Sequence, residues 1–330
     1  MHCVSPFETL HVHSNGFIPC CPAWFTNPED FRVDGVFDDA WDGWNHPKFV
    51  KLRQMWLDSD FSGCKHCVML LRKSEFLDEP TDWMKPVMEK GPSNVIFAND
   101  LSCNLHCWSC RSKPIIEKQQ DKIFKQTSSV LDTFHRDIKF ISAIGSGDPF
   151  ASPAWLKILQ TMDMEKHKKL KIELFTNGLL IPRYWDSISH MHDNIIRIKM
   201  SIDAVSKDIY EKTRLGGKHE NLNKALEFIS KLGKEFVLNM VVQSENFTDV
   251  PLVCEKAIEL GCNRLNLTMI RYWHQMRGGR TKFDEVNLAR KDHPKRVEFL
   301  NMLKNNEELL KHPIINEDMI LPDGHSIIKF

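Results

Sequence analysis

The sequence predicts an α/β fold: a parallel sheet built from six βα units, open or closed as a barrel, preceded by a small α+β segment crowded with cysteine. Three observations predict it. From Asn94 onward six apolar runs, NVIFAND, IKFISAIG, LKIELFTNG, IIRIKMSID, EFVLNMVVQ and NRLNLTMI, read as buried strands. Each apart from the last is followed by a helical pattern of about ten or more residues, and strands alternating with helices pair in parallel through crossovers. Residues 1–80 lack that rhythm and are instead rich in Trp, Phe and Cys.

The elements follow in chain order. ETLHVHSNGFIPC reads as a hairpin, an alternating run, an Asn-Gly turn and a second short strand. HPKFVKLRQMWLD (residues 46–58) carries apolar groups at helical spacing. Residues 81–92, within a stretch holding three prolines, read as a linker. Residues 93–275 carry the βα units. Residues 276–330 form an extension, polar at first and helical around 295–311, that is expected to cap the barrel.

Composition narrows the function classes. Lys+Arg and Asp+Glu both number 44, so no global field attracts nucleic acid or an anionic membrane. Mean hydropathy is −0.36, and no apolar run approaches the roughly 20 residues of a membrane helix. MHCVSPFETLHVH lacks the pattern of a secretory signal. The expectation is a cytoplasmic protein whose 10 cysteines, crowded into short spacings, bind metal or do redox chemistry and do not form a disulfide framework. Cys254 and Cys262, in the helical pattern VPLVCEKAIELGCNRL, are expected to be buried structural thiols.

Cys103-Asn-Leu-His-Cys107-Trp-Ser-Cys110 follows directly on the first predicted barrel strand. Catalysis in such barrels sits at the C-terminal ends of the strands. Three thiolates leave a fourth position open, whereas a structural zinc site is closed by four ligands. A cuboidal iron–sulfur cluster on three Cys keeps one iron for a small molecule. Zinc with His106 as fourth ligand is the alternative.

Here the sequence resembles the radical S-adenosylmethionine (SAM) enzymes, whose signature is CxxxCxxC after the first strand of a partial (βα)6 TIM-type barrel. The resemblance implies a [4Fe–4S] cluster on Cys103, Cys107 and Cys110, with SAM chelating the fourth iron. One departure is Ser109, where many members carry an aromatic residue; Trp108 lies beside it. Gly145-Ser-Gly147-Asp148-Pro149 resembles the family's GGEP motif with Asp for Glu, which implies that Gly147 and Asp148 hold the SAM amino group. Thr176-Asn177-Gly178 resembles the TNG that lines the SAM pocket. Ser201-Ile-Asp203 followed by IYEKTRLGG is similar to a segment of the SPASM-type subgroup, and implies Ser201 at the ribose or methionyl part and Arg214 at the carboxylate. Gln243, and more weakly Asn246, lie near the fifth strand's mouth and are expected to touch SAM or substrate.

Cys3, Gly16-Phe-Ile-Pro-Cys20-Cys21 and Cys64-Lys-His-Cys67 offer a closed four-thiolate site. On spacing alone zinc suits it as well as a cluster. The resemblance extends to a SPASM or twitch domain with an auxiliary [4Fe–4S] cluster on Cys3, Cys20, Cys64 and Cys67, with Cys21 as the alternative to Cys20. In most members that module follows the barrel. A subgroup with the order found here carries CCP[SA]W near its start and SCNLxCxSCR at the barrel entry, matched by Cys20-Cys21-Pro22-Ala23-Trp24 and by Ser102-Cys103-Asn104-Leu105 through Ser109-Cys110-Arg111.

The resemblance implies a low-potential electron donor such as ferredoxin or flavodoxin, reductive SAM cleavage, and hydrogen abstraction from a substrate at the barrel mouth. A peptide or protein side chain is the first expectation for that substrate, and a sugar or other small molecule, in a dehydrogenase or epimerase, the second. Arg271, Trp273 and His274 follow the last strand and are candidates for lining the mouth. A non-catalytic iron–sulfur or zinc-binding protein on the same fold is the alternative from another class.

Overall fold

The computed structural model describes residues 2–21, 25–64, 76–77, 79–272 and 276–316. The chain packs as two compact units. One takes in Met1–Leu101, Glu117–Glu173 and His190–Asn194, the other Ser102–Ile116, Leu174–Ser189 and Ile195–Phe330. The class is α/β, with a mostly parallel, open sheet, the form that a partial barrel takes.

The first unit contains β1 (His2–Cys3), β2 (Thr9–His13), β3 (Gly16–Ile18), β4 (Val33–Asp34), β5 (Phe76–Leu77), β6 (Asn94–Ala98), β7 (Phe140–Ala143) and the start of β8 (Lys171–Thr176). The predicted hairpin is β2 and β3, with Val12 opposite Phe17 and His13 opposite Gly16. Only glycine fits at position 16, because a Cβ there would fall 1.9 Å from the Val33 carbonyl oxygen. The hairpin does not stand apart from the barrel strands. β2 pairs in parallel with β6, Leu10 opposite Val95 and Val12 opposite Phe97, and β6 pairs with β7. All four of those side chains are fully buried.

The helix expected over 46–58 runs Pro47–Leu57, with Pro47 in the first turn and the His46 ring accepting from the Lys48 N–H. It buries Arg53 completely. The guanidinium donates to the carbonyls of Pro6 (3.0 Å), Trp44 (2.9 Å) and Pro86 (3.2 Å) and lies 4.2 Å over the Trp44 ring. Burial pulls this group down to about 9, which leaves it protonated at neutral pH. The proline-rich stretch expected as a linker is tied down here. The Asn45 amide donates to the Met88 carbonyl and accepts from its N–H, and Trp44 Nε1 donates to the Lys90 carbonyl.

In the second unit the end of β8 is followed by β9 (Ile195–Ser201), β10 (Glu235–Val242), β11 (Arg264–Met269) and β12 (Ile315–Asn316). β9 to β12 are parallel in that order. One face buries Ile198, Met200, Leu238, Met240, Leu265 and Leu267. The helices His219–Ser230 and Val250–Glu259 follow β9 and β10 and bury Leu222, Ala225, Leu226, Ile229, Val253 and Ala257. The expected long helix after β8 is instead a short helix, Ile181–Tyr184, and a 3₁₀ stretch, Trp185–Asn194, broken at Ile188. Ser187, His190, His192, Asp193 and Asn194 are weak helix formers, which accounts for the break.

The C-terminal extension forms helices Gly279–Val286, Arg296–Asn305 and Glu307–Leu310, and Ile315 joins the sheet beside Leu265. Met276, Phe283 and Val286 cluster with Ile270 and Val241, and the Val286 carbonyl accepts from the Ser244 N–H. Among the described residues no helix is long and apolar enough to cross a membrane. Residues 317–330 lie outside them.

His11 and His13 face the same side of β2, their rings stacked at 6.3 Å, and among the described residues the buried His13 Nε2 has no hydrogen-bond partner. Burial, then His13, lowers the His11 ring to about 3; burial, then Arg32, lowers His13 to about 4. Both rings are neutral when folded and titrate near 6.5 when unfolded, so the unfolded chain takes up more protons as pH falls. Stability is expected to fall between pH 7 and pH 4 by on the order of 5 kcal/mol. Urea melts across that range, with a His11→Gln/His13→Gln variant showing a flatter slope, check it.

Candidate active site

The 103–110 loop is held by its own backbone. Cys103 exchanges two hydrogen bonds with Ile115 (2.8 and 3.3 Å), and the Cys107 carbonyl accepts from the N–H of Cys110 and of Arg111. The His106 N–H donates to the Leu215 carbonyl (3.0 Å) and the Trp108 N–H to the Thr213 carbonyl (2.8 Å), which clasps the loop to the segment beyond β9. Gly216, at φ 90°, lies where a Cβ would come 3.3 Å from the His106 ring.

Each of the three sulfurs meets an N–H donor. Cys103 Sγ accepts from the Leu105 N–H (3.4 Å) and from Asn177 Nδ2 (3.7 Å), Cys110 Sγ from Arg111 Nε (3.3 Å), and Cys107 Sγ from an Arg214 terminal nitrogen (3.7 Å). Burial pushes the Cys107 thiol up, and Arg214 pulls against it. Burial also works against the Arg111 charge, but Cys110, Cys103 and Cys107 together hold that guanidinium above its usual value, so it lies within electrostatic reach of all three. Two arginines and an amide aimed at three sulfurs suit an anionic thiolate-bound group. This donor set fits an iron–sulfur cluster. Among the described residues no three Cys, His, Asp or Glu side chains converge as the ligands of a single ion would. Cysteines that each hold a different iron of a cuboidal cluster do not need to.

The Thr176-Asn177-Gly178 turn is fixed residue by residue and reaches the loop through Asn177. The Thr176 hydroxyl accepts from the Gly178 N–H (2.9 Å). Asn177 Oδ1 accepts from the Leu179 N–H (3.1 Å), and its Nδ2 also donates to Asn104 Oδ1 (2.9 Å). Gly178 takes φ 81°, and a Cβ there would lie 2.6 Å from the Met200 methyl.

The end of β9 brings a buried ion pair. Asp203 Oδ2 lies 2.8 Å from Arg214 Nε, and the two side chains are 3% and 9% exposed. Burial raises the Asp203 carboxyl and Arg214 opposes that rise; burial works against the Arg214 charge, and Asp203, then Cys107, hold it above its usual value. Asp203 takes φ 102°, an uncommon conformation for a residue with a side chain. Its other oxygen accepts from the Val241 N–H (3.0 Å), and its carbonyl accepts from Asn246 Nδ2 (2.8 Å). The sequence motifs contain Asp203, Asn104 and Arg111, but of the four residues they assign a role to Arg214 alone. A carboxylate ending a buried strand and an Arg directly after the last Cys were the available signals.

The other predicted residues are placed as follows. Ser201 ends β9 opposite Asn239. Gln243 is fully buried just past β10, and among the described residues neither amide atom has a partner, an orphan that a polar ligand would satisfy. Asn246 is spent on backbone, donating to Asp203 and Val241 carbonyls and accepting from the Gln243 N–H. Gly147 and Asp148 follow β7 in the first unit; Asp148 is buried, with one oxygen accepting from the Phe150 N–H (3.0 Å). Trp108 lies under Arg277 (5.2 Å) and Lys282 (4.4 Å). Arg271 is exposed. Trp273 and His274 lie outside the described residues.

Of the N-terminal cysteines, Cys3, Cys20 and Cys64 are buried and Cys21 is half-buried. The Ser5 hydroxyl lies 3.4 Å from Cys20 Sγ, which joins Cys20 to the turn after Cys3. Cys67, like Pro22, Ala23 and Trp24 of the CCPAW match, lies outside the described residues. Cys254 and Cys262 are buried as expected, and burial pushes both thiols up to about 12.

The family model described as the radical SAM superfamily matches residues 101–267, half of the chain. The chain belongs to the radical SAM superfamily. Among curated relatives of this radical SAM chain, it is 25% identical over 165 residues to the "Probable GTP 3',8-cyclase" of Methanococcus maripaludis, covering 48% of this chain and 53% of that one. It is 27% identical over 159 residues to the AdoMet-dependent heme synthase of Oleidesulfovibrio alaskensis, covering 47% and 40%. The chain thus spans about half the length, or less, of these relatives. Solved structures similar to it include SuiB of Streptococcus suis bound to S-adenosylmethionine (14% identity, 93% of this chain and 70% of that one, TM-score 0.48). Another is anSMEcpe with bound AdoMet (23% identity, 54% and 51%, TM-score 0.41).

Asp203→Asn removes the counter-charge of a buried arginine. The expected loss is about 3 kcal/mol of stability, read by urea denaturation of anaerobically purified protein. A loss under about 1 kcal/mol, the size of an exposed pair, would show that Arg214 is balanced by other groups.

Proposed function

We propose that this chain is a radical SAM enzyme that cleaves SAM reductively and abstracts a hydrogen atom from a substrate. The observation that supports it most is the clasped loop whose three sulfurs each meet an N–H donor. Cys103, Cys107 and Cys110 would hold a [4Fe–4S] cluster, which would supply the electron that cleaves the carbon–sulfur bond of SAM to methionine and a 5′-deoxyadenosyl radical.

The chain's own residues do the rest. Arg111, Arg214 and Asn177 stabilise the thiolates and fix the loop. Arg214 uses Nε on Asp203 and one terminal nitrogen on Cys107, and its other terminal nitrogen can take the SAM carboxylate. Ser201, on the row of Asn239, offers a hydroxyl to the ribose, and the orphan amide of Gln243 adds a polar contact. Gly147 and Asp148 keep the role that the resemblance implies, the SAM amino group. A low-potential donor such as ferredoxin or flavodoxin supplies the electron.

Cys3, Cys64, Cys67 and either Cys20 or Cys21 form the auxiliary site in this reading. It links the chain to SPASM-type enzymes and favours a peptide or protein side chain as substrate. A small-molecule substrate is the second reading. It is favoured by a cavity of about 320 Å³ among Lys199, Asn239, Arg264 and their neighbours, a volume in the small-molecule range.

Anaerobic incubation with SAM and dithionite is expected to release 5′-deoxyadenosine, and Cys103→Ala, Cys107→Ala and Cys110→Ala each to abolish it. Turnover that survives any of these changes overturns the site assignment. Iron analysis after anaerobic reconstitution is expected to give about eight irons per chain, and about four in the triple Cys103/Cys107/Cys110→Ala variant. Zinc in place of iron overturns the auxiliary-cluster assignment.

A further inference from the structure

The turn after β10 buries a side chain whose hydrogen-bonding groups are both idle. Gln243 is 0% exposed, and among the described residues neither Oε1 nor Nε2 has a partner. Its backbone is fixed by other means. The Gln243 N–H donates to Asn246 Oδ1 (2.9 Å), and its carbonyl accepts from the N–H of Asn246 and of Phe247 (both 3.1 Å). The turn is thus anchored without the side-chain amide. A buried donor and a buried acceptor left unpaired cost about 1–3 kcal/mol each, and a polar ligand that pairs with both removes that cost.

The surroundings say what that ligand offers. On both sides of Gln243 the chain is bonded to an apolar cluster. The Val242 carbonyl accepts from the Ile270 N–H (3.1 Å), and the Ser244 N–H donates to the Val286 carbonyl (3.0 Å). Ile270, Val286, Met276 and Phe283 pack with Val241, two residues before the glutamine. Asn246 ties the same turn to the strand end that carries Arg214, because its Nδ2 donates to the Asp203 carbonyl (2.8 Å) and Asp203 pairs with Arg214. A carboxamide presents a donor beside an acceptor in one plane, so both are satisfied at once by a partner with an acceptor beside a donor. An adenine edge is such a partner, its 6-amino group lying beside a ring nitrogen, and its two ring faces are apolar. The other groups of SAM match less of this. Its ammonium only donates, its carboxylate only accepts, and a ribose hydroxyl is satisfied by a single hydroxyl such as that of Ser201.

We propose that the Gln243 carboxamide binds the adenine edge of SAM, Oε1 accepting from the 6-amino group and Nε2 donating to the ring nitrogen beside it. The inference rests on the proposed function above and deepens its SAM site. Gln243 is a binding and specificity residue that moves neither a proton nor an electron. With Arg214 at the carboxylate and Gln243 at the base, SAM is held at both ends, which restricts where the bond to be broken lies between them.

The test is equilibrium binding to the iron-loaded full chain without reductant. The probes are SAM, its 6-deamino analogue (hydrogen at C6 of the purine) and its 2′-deoxy analogue. The unaltered protein is expected to bind SAM about tenfold tighter than the 6-deamino analogue, because the analogue leaves a buried acceptor unpaired. In Gln243→Met, close in size and without an amide, SAM is expected to bind at least about tenfold more weakly. The preference for the 6-amino group is expected to vanish there, while the penalty for the 2′-deoxy analogue stays as it was. Gln243→Asn, which withdraws the amide by one methylene, is expected to lose the same preference and serves if the methionine variant does not fold. The ligand series on the unaltered protein needs no variant, and absence of the amino preference there overturns the proposal. So does a preference that the variants leave intact, or SAM affinity that they leave unchanged, which would make the amide a partner of water or of a substrate peptide. Loss of the 2′-deoxy penalty in their place moves the amide to the ribose and overturns it as well. All of these leave SAM cleavage standing, whereas an iron-loaded protein that binds no SAM overturns the proposed function itself along with this inference.

Discussion

The buried pair of Asp203 and Arg214 is the contact on which the second unit's chemistry rests. Asp203 reaches β10 through the Val241 N–H and the loop after it through Asn246, while Arg214 reaches Cys107. One ion pair thus links two strand ends to the thiolate loop. Removing one partner strands the other charge out of water. The strained φ of Asp203 belongs to the same design, because a residue in that conformation persists only where its surroundings over-determine it. Two hydrogen bonds and an ion pair, to three different segments, do so here.

Much of the fold was legible in the sequence because burial writes a period. All six barrel strands lie where apolar runs place them, from NVIFAND to NRLNLTMI, and the helices over 47–57 and 296–310 follow their apolar spacing. What the pattern did not carry was partnership. TLHVH reads as half of a hairpin, and nothing local says that its other edge pairs in parallel with Asn94–Ala98, since that choice is made across some eighty residues of chain. The proline-rich stretch after Glu79 reads as a linker because its apolar residues show no helical or strand period, although Met84 and Met88 are buried. It is fixed by groups elsewhere, the Arg53 guanidinium and the Asn45 amide. Ile315 beside Leu265 is the same kind of miss, a strand of two residues being too short to show a period.

The site was legible where chemistry forces a spacing. Three cysteines in eight residues, TNG and the Ser-Ile-Asp strand end were all readable, and the structure gives each letter of TNG a separate bond or conformation. Residues that act on those letters were harder to see. Arg111 touches Cys110 as its immediate neighbour, yet an Arg after a Cys has no meaning until the fold brings its guanidinium within electrostatic reach of all three sulfurs. The cavity that Lys199 and Arg264 line was invisible for another reason. The two residues are far apart in sequence, and only the register of three strands puts them on one face.

Trp108 lies under two cations, Arg277 and Lys282, from the segment beyond the last long strand. Cation–π contacts of this kind need the indole held in place, and the indole is held by the loop that carries the three thiolates. The ordering of residues 276–286 is therefore coupled to the ordering of that loop. Arg277 and Arg280 are cleavage sites for a trypsin-like protease, which cuts only backbone that can leave its fold. Whatever stiffens the cysteine loop also hides these bonds, so an event at that loop is written into how quickly the chain is nicked a long way along it.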